Sequence, residues 1–209
     1  MNILGIDTTR KKASIFFKRT EREDIYLLAL DENVKHSDGL FLYIEKALLD
    51  NDVKIEDVDT FACVVGPGSF TGIRVGMSTI KGINKVLKRN IVVMNMFEVL
   101  SPTLKAGVIL LNSTSTSCYY AKIFKGEVVE SGVVAKVDIE KIADGGVVVV
   151  LKEEQEAIGL TYNNYKVVDS LAELYSKCVM QKLDAMQYDE FVPYYLQLSQ
   201  AERNIDVKD

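Results

Sequence analysis

The chain has 209 residues, of which 48% are hydrophobic and 26% charged, and its formal net charge is −5. This length and composition fit a globular protein that buries a core as one large domain or two small ones. The acidic balance disfavours a protein that holds nucleic acid by its overall charge, because neutralising phosphates needs a surplus of Lys and Arg on some face. Basic clusters at 10–12 and 85–89 leave nucleic-acid contact open, although a solvated surface is the favoured interpretation.

The cysteines and the histidine of the sequence disfavour several kinds of covalent link, metal site and catalytic site. Cys63, Cys118 and Cys178 are far apart and form no CxxC pair, which favours a reducing cytoplasm over a disulfide framework. His36 is the only histidine, so a zinc site or a Ser-His triad is disfavoured. The N-terminal apolar run is too short for a signal peptide, and no window is long enough to span a bilayer. We therefore expect a cytoplasmic protein with no membrane contact.

The first half of the chain predicts three strands followed by alternating helices and strands. Ser37 and Asp38 are the predicted N-cap of the first helix, and Ser69 that of the second. Strands are predicted at 2–9, 11–19, 25–30, 59–66 and 90–95, and helices at 39–51, 70–88 and 97–103.

The second half begins again in the same order, with a strand, a polar turn and two further strands in 106–134. A buried strand at 145–151 and a helix at 168–183 follow. This repetition predicts a structural duplication and an α/β chain of two lobes, each a mixed sheet with flanking helices. We place the lobes at 1–103 and 104–209.

The glycine-rich segment "VVGPGSFTGIRVG", residues 64–76, resembles a nucleotide-binding loop only in composition. It lacks the Gly-Lys-Ser/Thr of a Walker A loop, and the spacing of its glycines does not match the dinucleotide-binding G-x-G-x-x-G. Two interpretations stay open. The segment is either a structural strand-to-helix turn, or a contact for an anion or a ligand shared with a partner, through Gly66, Gly68, Ser69, Thr71 and Arg74. Arg74 pairs either with such an anion or across an interface.

The first two helices carry more apolar surface than one sheet face needs. In the first, Leu40, Phe41, Ile44, Ala47 and Leu48 form a core stripe, whereas Leu42 and Leu49 lie on the opposite side. In the second, the apolar arc is about 200°, and its glycines suggest that another backbone approaches closely. Either the other lobe covers this excess or a subunit interface does, and we favour the interface. Its predicted residues are Leu42, Leu49, Gly72, Ile73, Gly76, Met77 and Ile80.

Several segments in order resemble the TsaB family, also called YeaZ. They are "ILGIDTT", "KHSDGL", "VVGPGSFTGIRVG", "TIKGI" and "VPYYLQ", spread over nearly the whole chain. The resemblance implies the two-lobed fold of the actin, Hsc70 and sugar kinase superfamily, which is ribonuclease H-like. It also implies a role in forming N6-threonylcarbamoyladenosine at position 37 of tRNAs that read codons starting with A.

In that family TsaB is a non-catalytic scaffold, and TsaD, a paralogue of the same fold, is the transferase. The resemblance implies a heterodimer with TsaD through the N-lobe helices, a homodimer of the isolated chain, docking of the ATPase TsaE, and tRNA contact mainly through the complex. TsaD needs two histidines on a helix for its metal, and this chain has one. We therefore expect ATP and metal to belong to the partner subunits, with no cofactor in the isolated chain.

Two features bear on catalysis. Superfamily members that bind nucleotide wrap a phosphate with a Gly-containing bend after an Asp, whereas here Asp7 is followed by Thr8 to Lys12, without glycine. The second lobe has "NSTSTS" at the equivalent turn and lacks the family's Asp and Arg, although Tyr119 and Tyr120 keep the aromatic role. The alternative function is an ATP-dependent small-molecule kinase or a peptidase-like enzyme of the same fold.

Overall fold

The computed structural model describes residues 1–30, 36–185 and 190–197, with the side chains of 36–38 outside the description. These residues form two compact units. The first contains the described residues of Met1–Val99 and Ser170–Pro193, and the second contains Leu100–Asp169 and 194–197.

The first unit contains a five-stranded sheet in the order β3-β2-β1-β4-β5. β1 is antiparallel to β2, β2 to β3, and β1, β4 and β5 run parallel. Every residue of β4 is buried, as expected of a parallel strand covered on both faces. The strands are β1 (Asn2–Asp7), β2 (Ser14–Arg19), β3 (Tyr26–Ala29), β4 (Thr60–Val64) and β5 (Asn90–Met94).

Among the described residues, four α-helices belong to the first unit. They are α1 (His36–Asp50), α2 (Phe70–Leu87), α3 (Met96–Leu100) and α6 (Ala172–Asp184), with α3 ending at the unit boundary. α1 is already helical at His36, three residues before the predicted start, so Ser37 and Asp38 lie within the helix and not at an N-cap. The side chains on which the predicted cap depended lie outside the described residues.

The second unit repeats the arrangement of the first. Its sheet has the order β10-β9-β6-β7-β8, with antiparallel β6-β7 and β7-β8 pairs and parallel β6-β9 and β9-β10 pairs. Its core joins apolar residues of the sheet to the two short helices. The elements are β6 (Ala106–Asn112), β7 (Ser117–Phe124), β8 (Glu127–Ala135), α4 (Ile139–Ala143), β9 (Val148–Leu151), α5 (Gln155–Ile158) and β10 (Tyr165–Val168).

The predicted two-lobed α/β fold is confirmed by this repeated topology, in which each first strand lies between its hairpin partner and a parallel strand. The boundary differs from the predicted division into 1–103 and 104–209 because 170–193 returns to the first unit. The helix of that segment, α6, packs on β5 and β2. The predicted helix at 168–183 is therefore correct in kind, but it belongs to the first unit.

Candidate functional site

The glycine-rich turn connects β4 to α2 in the first unit. Ser69 is the N-cap of α2, as predicted, because its Oγ accepts a hydrogen bond from the Gly72 amide at 3.2 Å. The Gly66 carbonyl accepts from the Met96 amide at 2.8 Å, and Gly66 has a φ of 131°, a conformation that side-chain-bearing residues rarely adopt. The turn is thus fixed at one end by a main-chain hydrogen bond and at the other by the Ser69 side chain.

The glycines of this segment accommodate the bend between β1 and β2. A Cβ on Gly72 would lie 1.9 Å from the Thr8 carbonyl oxygen, and one on Gly76 would lie 2.3 Å from Thr8 Oγ1. Thr8 Oγ1 donates to the Gly72 carbonyl at 2.7 Å, and the Ser69 amide donates to the Thr9 carbonyl at 3.0 Å. The backbone that approaches these glycines therefore belongs to the same chain.

Arg10 fills the space between the bend and the turn. Although charged, it is buried. Its guanidinium donates to the Pro67 carbonyl, and its Nε donates to Thr9 Oγ1 at 3.2 Å. These bonds satisfy part of the hydrogen-bonding demand that burying a guanidinium creates.

Asp7 ends β1 and is only 1% exposed. Its Oδ1 accepts hydrogen bonds from the Thr9 amide at 2.8 Å and the Thr9 hydroxyl at 2.7 Å. Its Oδ2 accepts from the Tyr175 hydroxyl of α6 at 2.6 Å. Burial raises the pKa of Tyr175 well above its ordinary value, and the charge of Asp7 raises it further. Both carboxylate oxygens are therefore held by donors of this chain.

The residues predicted to contact an anion or shared ligand are separated by burial. Gly66 is buried and Gly68 half-buried, and a Cβ on Gly68 would lie 2.2 Å from the Thr9 carbonyl oxygen. Ser69, Thr71 and Arg74 are exposed near the start of α2. The structural interpretation of the turn thus has direct support from its contacts, and the ligand interpretation stays a prediction carried by the three exposed residues.

The residues predicted to form an interface also fall into an exposed group and a buried group. Leu42 and Leu49 are 66% and 71% exposed, as expected for residues opposite the core stripe. The α2 members, namely Gly72, Ile73, Gly76, Met77 and Ile80, are all buried. The prediction that these five residues contact a partner is therefore wrong. α2 packs on the sheet of its own unit, and Gly72 and Gly76 contact Thr8. The N-terminal part of the apolar arc of α2 is thus covered within the unit, whereas Val86 near its end is 79% exposed.

The sequence interpretation also missed exposed apolar surface. Phe41 was expected in the core but is 61% exposed, beside Leu42 on α1. We name Phe41, Leu42 and Leu49 the α1 face. A groove of about 510 Å³ adjoins this face, and the segment after α1 contributes to it. Its lining residues are Phe41, Ile44, Glu45, Leu48, Leu49, Val53, Lys54, Ile55 and Ile83.

The hairpin bend of the second unit differs from that of the first. Thr114 Oγ1 accepts hydrogen bonds from the amides of Thr116 and Ser117 at 3.2 and 3.1 Å. Tyr119 is buried, and its hydroxyl accepts from Gln197 at 2.8 Å, whereas the Tyr120 hydroxyl donates to Glu130 at 2.6 Å. The two tyrosines therefore serve contacts within the second unit.

Part of the sequence is similar to proteins that are named as tRNA-modifying enzymes. The family model described as "TsaD: tRNA N6-adenosine threonylcarbamoyltransferase" matches residues 32–122. A curated tRNA N6-adenosine threonylcarbamoyltransferase of Sinorhizobium medicae is 31% identical over 117 residues, covering 47% of this chain and 32% of the relative. That of Rickettsia bellii is 23% identical over 111 residues, with 46% and 33% covered. The chain thus spans about a third of the length of these curated relatives.

Solved structures match nearly the whole chain. A Pseudomonas aeruginosa protein described as similar to the peptidase YeaZ has a TM-score of 0.70 at 16% identity, covering 94% of this chain and 99% of that one. YeaZ from Pseudomonas aeruginosa has a TM-score of 0.68 at 16% identity, with 93% and 99% covered. The chain has the YeaZ fold. The resemblance inferred from the sequence is thereby confirmed in structure.

The α1 face, its groove and the bend between β1 and β2 all lie on the first unit of this chain. The α1 face lies on one helix, and its groove is lined by that helix, by the segment after it and by Ile83 of α2. The bend held by Asp7 lies at the start of α2. None of the helices in the described ranges combines the length and hydropathy that a membrane span requires.

Proposed function

We propose that this chain is a TsaB-type subunit of the machinery that forms N6-threonylcarbamoyladenosine at position 37 of tRNAs reading codons that start with A. In this proposal the chain binds and activates a TsaD-type transferase and catalyses no step itself. The observation that carries the proposal is the exposed α1 face on a chain with the YeaZ fold. Cytoplasmic location follows from the proposal, since that is where such a complex meets its tRNA.

A TsaB-type role is favoured over a TsaD-type role by two facts. The chain has one histidine, His36, whereas the metal site of TsaD requires two on a helix. Solved YeaZ matches over 99% of its own length, whereas the curated transferases match over only about a third of theirs. The partial match to TsaD is what a paralogue of the same fold would give.

The α1 face has the composition of a protein interface. Phe41, Leu42 and Leu49 are aromatic or aliphatic and mostly exposed. Burying a fully exposed side chain of this kind is worth roughly 1.5–3 kcal/mol of free energy, and a partner that covered these three would gain most of that amount for each. The adjoining groove is concave and mainly apolar, with Glu45 and Lys54 as its charged members. Apolar anchors beside a pocket, bordered by charge, resemble the centre and rim of a protein interface.

The proposed occupant of this surface is the corresponding region of TsaD, and in the isolated chain a second copy of the same surface. TsaE then docks on the heterodimer, and tRNA is held mainly by the complex. ATP and metal are supplied at the partner subunits. The contact residues we now propose are those of the α1 face, without the α2 residues that the fold buries.

The first hairpin bend supports a non-catalytic role. Asp7 has both carboxylate oxygens hydrogen-bonded within the chain, and Arg10 lies buried against Pro67. Freeing this carboxylate for a metal-bound nucleotide would require breaking three hydrogen bonds to Thr9 and Tyr175. An enzyme of the same fold would need such a free group, and isothermal titration of ATP-Mg into the isolated chain tests that alternative. Micromolar binding by the isolated chain would favour the enzyme.

Reconstitution tests the proposed function. TsaD and TsaE from the same organism, a tRNA transcript and the threonylcarbamoyl donor are assayed with and without this chain. We expect threonylcarbamoyl transfer only when the chain is present, and co-purification of the chain with TsaD. Full transfer in its absence would contradict the proposal.

A further inference from the structure

The outer face of α2 carries a row of side chains that the proposed function does not use. Its members follow one another at intervals of three or four positions, so they share one face of the helix. All of them are exposed. We name this set the basic row: Thr71, Arg74, Ser78, Lys81, Lys85 and Lys88.

The surrounding sequence has an unusual charge for this acidic chain. Between Asp59 and Glu98 there is no Asp or Glu, although the chain has 30 acidic residues in all. The same segment contains five basic residues, four in the basic row and Arg89 directly after it. Arg89 donates to the Glu56 carbonyl at 3.0 Å, which fixes its position beside the row. The outer face of α2 thus carries basic side chains and no acidic ones, on a chain whose net charge is −5.

We infer that the basic row binds the phosphate backbone of RNA, and in the proposed function, on which this inference rests, that RNA is the tRNA substrate. Every member of the row is a hydrogen-bond donor, and four carry a permanent positive charge. Phosphate oxygens are acceptors with negative charge, and Lys, Arg, Ser and Thr are the side chains that contact them. From Arg74 to Lys88 the row spans about 21 Å along the helix, the length of about six phosphates on one strand.

An acidic protein surface fits the row less well. Protein interfaces have an apolar centre and are depleted in lysine, and the row contains three lysines and no apolar member. The α1 face has the opposite composition, with Phe41, Leu42 and Leu49 exposed. The first unit therefore carries one surface suited to protein and another suited to a polyanion.

The two surfaces can be occupied together. Ile83 of α2 lines the groove beside the α1 face, and it is nine positions from Arg74. At about 100° per residue, these two positions lie on opposite sides of the helix. A partner bound in the groove therefore leaves the basic row accessible. Phe191 lies beside the row, with the Lys81 ammonium 5.3 Å from the centre of its ring.

The test measures binding of a fluorescently labelled tRNA transcript, by anisotropy at several salt concentrations, to the full chain alone and to the chain with TsaD. The row variant carries Arg74→Gln, Lys81→Gln and Lys85→Gln. The control variant carries Lys125→Gln, Lys141→Gln and Lys177→Gln, which are exposed elsewhere and give the same change in net charge. Circular dichroism verifies that both variants fold.

We expect the row variant to bind RNA at least ten-fold more weakly at low salt. The slope of log affinity against log salt should fall by about 2, since each lost phosphate contact removes roughly 0.7–0.9. The control should match the unmodified chain. Equal binding by the two variants would overturn the inference, as would failure of the unmodified chain to bind RNA both alone and with TsaD.

Co-purification with TsaD is measured on the same proteins and separates the two proposals. If the unmodified chain binds RNA through the row but does not bind TsaD, the proposed function fails while the row keeps its assignment to RNA. If the row variant loses TsaD and keeps RNA, the row is a protein contact and the inference is overturned.

Discussion

Tyr175 and Asp7 are 168 positions apart in the sequence, and the Tyr175 hydroxyl donates a buried hydrogen bond to Asp7 Oδ2 at 2.6 Å. The ring of Tyr175 stacks on Phe16 of β2, with 4.8 Å between ring centres and 9° between planes. α6 is thereby attached to the two strands that form the first hairpin. This hydrogen bond occupies one oxygen of the Asp7 carboxylate.

Replacing Tyr175 with Phe tests how much the hydrogen bond from Tyr175 to Asp7 stabilises the fold. The stack on Phe16 is retained, but Asp7 Oδ2 loses a donor in a place where Asp7 is 1% exposed. We expect the free energy of unfolding to fall by about 1–3 kcal/mol in urea denaturation. Tyr165→Phe, on a partly exposed tyrosine of β10, is the control and should change stability by less than about 0.5 kcal/mol. Equal effects of the two substitutions would contradict this role for Tyr175.

Two glycines of α2 should respond to alanine in opposite directions. At Gly72 a Cβ would lie 1.9 Å from the Thr8 carbonyl oxygen, whereas at Gly82 nothing lies within 4 Å. Gly72→Ala must displace the hairpin bend, and we expect a loss of about 1–3 kcal/mol or more. Gly82→Ala should gain about 0.5–1 kcal/mol from helix propensity alone. Thermal unfolding measures both, and a stabilised Gly72→Ala protein would show that the bend does not depend on this contact.

Much of the fold could be predicted from the sequence because its signals are local. The buried strands, the Ser69 cap and the repeated strand-turn-strand order are recorded in short patterns of residues, and the structure contains them. The close approach of a backbone to the α2 glycines was also predictable. Which backbone approaches them could not be predicted, since Thr8 is 64 positions from Gly72 in the sequence. The composition of α2 does not say whether the neighbouring backbone belongs to the same chain or to a partner.

The wrong predictions also concern contacts between residues that are distant in the sequence. An apolar arc of about 200° on α2 looked like surface for a partner, but the bend between β1 and β2 covers part of it from a second side. Phe41 follows the helical spacing of the core stripe, yet it lies at the edge of the groove and is mostly exposed. α6 was assigned to the nearer unit in sequence, and only long-range contacts such as Tyr175 with Asp7 assign it to the first.

The three cysteines should be unreactive in the folded protein. Cys63, Cys118 and Cys178 are buried, and burial raises the pKa of Cys118 to about 11 and that of Cys178 to about 12. At pH 8 we expect a thiol reagent to label none of them until denaturant is added. Rapid labelling of the native protein would contradict their burial.

The same pKa values predict a direction for stability against pH. The folded state keeps the protons of Cys118 and Cys178 to a higher pH than the unfolded state does. Unfolding therefore releases protons above a pH of about 8.5–9, and stability falls as pH rises. We expect the two thiols to make their full contribution to the free energy of unfolding below that range, and to lose it progressively towards pH 11–12. Urea denaturation at pH 8 and pH 10 measures it, with the Cys118→Ala and Cys178→Ala protein as the reference.

The α1 face is the surface through which we propose that this chain binds a protein partner. The variant Leu42→Asp with Leu49→Asp places two charges on that face, and Val129→Asp with Val137→Asp makes the same change at exposed valines of the second unit. The decisive measurement is TsaD capture, with light scattering of the isolated chain, for both variants after circular dichroism has shown them folded. We expect the leucine variant to lose TsaD binding and self-association, and the valine variant to keep both. A folded leucine variant that binds TsaD as tightly as the unmodified chain would contradict this proposal.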